Sequence, residues 1–248
     1  MILAILNAMK TIEIMDPLKN NARLAGVFYL VVILTGLFSE LAVRSEIIVP
    51  GDAAATAAHI ADKEFLFRMG FVSDLVMVMS DVVLALLFYL ILRPVNNALS
   101  LLAAFFRLAQ ASVLGINLLN YYWPLLILKD QFMAPFSEVQ LNALVLFFLN
   151  AHSYGYLISG VFFGLSCLIL GSLLFKSTYF PRWLGSLVVA AGASYLIDCL
   201  TNFLWPEYAF ISELLVFSVA VISELSLCLF LLIKGTSKHE IRVSGIIK

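Results

Sequence analysis

The sequence predicts an all-α, polytopic membrane protein, a six-transmembrane-helix bundle with short outer amphipathic helices. Two observations predict it. The 248 residues are 62% hydrophobic and only 12% charged, about half the charged fraction of a soluble domain. Apolar runs of about 20 residues also recur between short polar breaks, the length a helix rising ~1.5 Å per residue needs to cross ~30 Å of hydrocarbon. A backbone in lipid must satisfy its own hydrogen bonds, so an open chain crosses as helices.

The N-terminal segment, 1–22, is expected to be cytoplasmic or interfacial. Its opening MILAILNAM is too short to cross and lacks a basic n-region or a small-residue cleavage site. It reads as an interfacial helix, or as sequence upstream of a start at Met15. The first span is expected over 23–43. In the loop that follows, VPGDAAATAAHIADKEF reads as a Pro-Gly turn, Asp52 as N-cap, then an Ala-rich helix feeding the second span, 67–92. The third span is expected over 98–128. SEVQLNALVLFFLN, 137–150, has apolar residues at helical spacing, but joined to the fourth span, 154–175, it would be too long for one crossing. It is therefore expected as a separate outer helix, broken from the span near His152 to Gly155. The fifth and sixth spans follow over 183–204 and 209–233. A transmembrane domain over 23–234 and a cytoplasmic tail over 235–248 complete the organisation.

Charge orients the spans. Lys10, Lys19, Arg23, Arg93, Lys176, Arg182, Lys234, Lys238, Arg242 and Lys248 fall on one side, and chiefly Arg44, Lys63 and Lys129 on the other. The positive-inside rule then puts both termini in the cytoplasm of a cell with this protein in its inner membrane.

Charges inside the apolar runs are the candidate functional residues, because each alone costs about 3 kcal/mol or more in a bilayer. Asp74 and Asp81 lie two helical turns apart on one face of the second span. Counting residues from the helix ends puts Asp81, Arg107 and Glu224 at similar depth, so an ion pair or triad is expected there. Gln110 and Asn117 share the polar side of the third span with Arg107. Nearer the outer surface, Glu40, Arg44, Arg68, Asp74, His152, Asp198 and Glu213 are expected to line a polar vestibule that is richer in acids than bases.

Other function classes are excluded or lack a scaffold. Basic residues are scattered, so nucleic acid is not a partner. Cys167, Cys199 and Cys228 sit in apolar runs without metal-ligand spacing, His59, His152 and His239 are far apart, and no GxSxG, HExxH or P-loop occurs. No cofactor or metal is expected, and GVFFG (160–164) reads as a helix-packing device. Membrane lipid is the expected partner. Three readings of the polar core remain: binding or passage of a small molecule or ion, a lipid-directed enzyme using the outer acids with His152, or an accessory protein whose buried charges only assemble the bundle.

RLAGVFYL (23–30), VPGDAAATAAHI (49–60), FLFRMGFVSDL (65–75), LRPVNNALSLLAAFFRLAQA (92–111) and GYLISGVFFGLSCLILGSLLFKSTYFPRWLG (155–185), continuing to YLID (195–198), carry a resemblance. In these blocks and their order the chain resembles the bacterial integral membrane protein family called domain of unknown function 4386. The resemblance covers about 23–233. It implies a multi-helix membrane protein and brings no activity, cofactor or catalytic residue with it.

Overall fold

The computed structural model describes residues 2–129 and 133–236, with the backbone alone over 2–16. The tail expected from 235 lies outside the described residues beyond 236, as does His239. All regular structure among the described residues is helical. The first helix, α1 (Ile2–Leu37), runs without a break into a π-helical segment, Phe38–Arg44, and the single turn α2 (Ser45–Ile47). Then come α3 (Ala53–Asp62), α4 (Glu64–Leu92), α5 (Asn97–Lys129), α6 (Glu138–Lys176), α7 (Arg182–Leu204) and α8 (Ala209–Ile233).

Six of these, counting the first from Pro17, are long and apolar enough to cross a membrane. Large apolar side chains cover their outer faces; on α8 alone Phe210, Leu214, Phe217, Ile222 and Ile233 are exposed. Helices apolar on both the buried and the exposed face need lipid as solvent. The chain is a multi-pass helical membrane protein.

Local chemistry sets the boundaries. Gly51, at φ 78°, completes the turn that Pro50 begins, and the Asp52 carboxylate accepts from the Ala55 N–H at 2.9 Å to start α3. A reciprocal Ser137–Gln140 capping box starts α6. Between α6 and α7 the backbones nearly touch, and a Cβ added to Gly171 would lie 2.6 Å from the Val189 nitrogen.

The expected break near His152 does not exist. α6 is one helix of 39 residues, about 58 Å long. Its buried residues Val145, Leu149, His152 and Ser159 continue one packed stripe through the predicted gap. Gly155 serves close approach, since a Cβ there would overlap the side chain of Asn117.

The long helices close into a ring: α1 packs on α4, α4 on α5, α5 on α6, α6 on α7, α7 on α8, and α8 back on α1. Successive helices alternate in direction, so the start of the first span and the end of α8 share one end, where Gly235 meets Lys19 and Arg23. This terminal end is filled by an apolar cluster that includes Leu18, Leu92, Leu174, Phe180 and Leu231. A second cluster, with Val43, Ile60, Phe67, Tyr121, Val145 and Leu149, fills the opposite, loop end.

Candidate functional site

Between the two apolar clusters the ring interior is polar, on two levels. Asp81 of α4 and Arg107 of α5 form the lower one, and they are 3% and 2% exposed. Arg107 Nε and Nη2 both donate to Asp81 Oδ1, at 3.0 and 2.5 Å, while Gln110 Nε2 donates to Asp81 Oδ2 at 3.1 Å. The guanidinium lies over three rings, Tyr29 of α1, Phe88 of α4 and Phe163 of α6, at 5.7, 5.7 and 5.2 Å. Side chains from four helices thus meet at the centre of the ring around one cation, each ring contributing about 0.5–2 kcal/mol of attraction.

Two turns nearer the loop end, Asp74 is fully buried and Arg44 Nη1 donates to its Oδ2 at 2.8 Å. Arg44 also binds Glu40 through Nε at 2.7 Å and Ser39 through Nη1 at 3.2 Å, and its guanidinium lies 5.3 Å from the Tyr156 ring centre. The π-helical winding explains this reach. In an α-helix, residues five apart diverge by about 140°; i→i+5 winding returns them to one side. Ser39 and Arg44 can therefore face α4 together, Ser39 donating to the Gly70 carbonyl at 3.2 Å and Arg44 to Asp74. The His152 ring meets Tyr121 at a tilt and Tyr156 edge-on, with ring centres 5.3 and 5.0 Å apart. Asn117 donates to the backbone carbonyl of His152 at 2.8 Å, joining α5 to α6. Asn117 therefore belongs with the upper level, not with Gln110.

Of the remaining candidates, Glu224 borders the lower level without pairing in it, within electrostatic range of Arg107 and Asp81, and Arg68, Asp198 and Glu213 stand apart from both levels. Glu224 accepts from Tyr195 Oη at 2.8 Å, and among the described residues it makes no ion pair with Arg107. Asp198 accepts from Ser212 Oγ at 2.7 Å and Asn202 Nδ2 at 3.1 Å. Glu213 is exposed. Arg68, also exposed, pairs with Glu64 and donates to Tyr122 Oη at 2.9 Å, and Lys129 pairs with the same Glu64. The seven outer candidates thus do not share one vestibule: Glu40, Arg44 and Asp74 join, with His152 beside them, and Arg68, Asp198 and Glu213 lie apart. No three His, Cys, Asp or Glu side chains among the described residues converge as a metal site requires.

Sequence reasoning missed the groups that complete these levels. Tyr29, Phe88, Phe163 and Tyr156 look like ordinary apolar-run aromatics, and Ser39 carries no signal beyond its place before Glu40. Four buried side-chain atoms lack a protein partner among the described residues: Asp74 Oδ1, Arg107 Nη1, Gln110 Oε1 and His152 Nε2. All four belong to the two levels.

The architecture defines a multi-pass membrane protein with a charged interior enclosed by its own helix ring. The chain belongs to the family described as "Domain of unknown function (DUF4386)", whose model matches residues 24–235. An "Uncharacterized protein" of Archaeoglobus fulgidus is 32% identical over 123 residues, which are 50% of this chain and 60% of the relative. The match therefore spans less than two thirds of that relative's length. No solved structure matches.

Proposed function

We propose that the protein binds, and passes or senses, a small polar solute or ion within the helix ring, from a cytoplasmic membrane in which both termini are cytoplasmic. The Lys/Arg bias between loops supports the orientation. One observation carries the binding: every buried partnerless side-chain atom among the described residues lies on the two interior levels. An unmet buried polar atom costs about 1–3 kcal/mol, and such atoms in native proteins mark bound water, ions or catalytic roles. On the upper level the unmet Asp74 Oδ1 is a buried acceptor, so a ligand that donates a hydrogen bond to it, such as a protonated amine, suits it best.

The test is thermal-shift screening of the purified protein against alkali and alkaline-earth cations, small amines and neutral polar solutes, repeated with Asp74→Asn. A solute that raises the melting temperature of the wild type and not of the variant supports the reading. If nothing shifts the wild type, or every shift survives the substitution, the buried charges serve assembly alone.

A further inference from the structure

Arg107 has one guanidinium nitrogen to spare. Nε and Nη2 are taken by Asp81, and Nη1 has no protein partner although the residue is 2% exposed. Arg107 also lines a small cavity between α4, α5 and α6, together with Ser100, Ala103, Ala104, Ser166 and Leu170. Its volume, as swept by the centre of a water molecule, is about 10 Å³, close to the least that holds one water.

The lining selects what can sit there. Ser100 donates its proton to the Tyr89 carbonyl at 3.1 Å, and Ser166 donates to the Ala103 carbonyl at 2.8 Å. Both hydroxyl protons are spent, so each oxygen offers only lone pairs. Arg107 Nη1 offers only N–H groups. A ligand must then accept from the guanidinium and donate to hydroxyl oxygens. A halide cannot donate, and a metal cation would face the guanidinium. With the Arg107 charge already matched by Asp81, and Glu224 the further ionisable group within electrostatic range, no positive charge remains to hold an anion.

We infer that this cavity is a binding site for one neutral, water-sized molecule that both accepts and donates hydrogen bonds, and that water fills it. The site lies on the terminal-end side of the ion pair, since Ser100 is two helical turns before Arg107 on α5. It gives the lower level a hydrogen-bonded neighbour in that direction. The inference goes beyond the solute binding proposed above and holds whether or not the upper level takes a ligand.

Water-edited solid-state NMR of the full chain in lipid bilayers, with ¹⁵N-labelled arginine and ¹³C-labelled aspartate, tests it directly. Arg107 is identified by an Nε contact with an aspartate carboxyl carbon, because Arg44 meets Asp74 only through Nη1 and its Nε pairs with Glu40, so the assignment itself needs no variant. Rapid magnetisation transfer from water to Arg107 Nη1, lost when Ala103→Val fills the cavity, is the expected result. Two results overturn the inference: no transfer to Arg107 at mixing times that reach the exposed Arg68, and an Arg107 Nη1 shift that titrates with bromide, which would make the site an anion site.

Discussion

Replacing Asp81 by leucine keeps roughly the volume and removes the only carboxylate Arg107 touches. Three hydrogen bonds are lost, two from Arg107 and one from Gln110. An uncompensated buried charge costs about 3–5 kcal/mol, and the stranded Gln110 amide adds about 1 kcal/mol or more. The single variant should therefore lose about 4–6 kcal/mol, roughly three to four powers of ten in the folding equilibrium at about 1.4 kcal/mol each. Arg107→Met strands the carboxylate instead, with Gln110 its one remaining donor, and should lose about 3–5 kcal/mol. The double variant strands no charge. Only the Gln110 amide is left unpaired, so its loss should fall to about 1–3 kcal/mol, and adding Gln110→Leu should recover most of that. The assay is unfolding by titration with a denaturing detergent, followed by the fluorescence of Trp123, Trp183 and Trp205. If the double loss equals the two single losses added together, within about 0.5 kcal/mol, the ion pair is not the unit described here.

Arg44→Met should cost about 3–5 kcal/mol because Asp74 is fully buried beside it, whereas Arg68→Ala, at an exposed pair, should cost less than about 1 kcal/mol; the same detergent titration reads both, and the reverse order would refute the assignment. Gly171→Leu must force α6 and α7 apart and should cost about 1–3 kcal/mol or more, so an unchanged melting temperature would show that the close backbone approach is not required. For orientation, Asp52→Cys should react with a membrane-impermeant thiol reagent added to intact cells and Asn96→Cys should not, and the opposite labelling would invert the topology.

The spans were legible because hydrocarbon thickness imposes a length on the sequence, and α4, α5, α7 and α8 begin and end within a few residues of where apolar runs do. α6 was misread because His152, Ser153, Tyr154 and Gly155 look like a polar break when read along the chain. Read around the helix, His152 falls on the stripe of Val145 and Leu149. The heights of Asp81 and Arg107 follow from counting residues along two antiparallel helices, and the two side chains meet. Glu224 lies at a comparable count, yet height alone does not say which way a side chain faces around a ring, and Tyr195 holds it. The π-helical segment left no trace, since FSELAVR contains neither Pro nor Gly.

The unbroken α6 reaches every layer of the molecule. It supplies Val145 and Leu149 to the loop-end cluster, His152 and Tyr156 to the upper level, Phe163 to the ring around Arg107, Ser166 to the small cavity, and Leu173 and Leu174 to the terminal-end cluster. A rod does not transmit motion piecemeal. An axial slip of one turn, about 5.4 Å, would shift each of these residues by the same distance and break every contact they make together. Whatever opens one end of the ring by moving α6 must therefore disturb the other end in the same stroke.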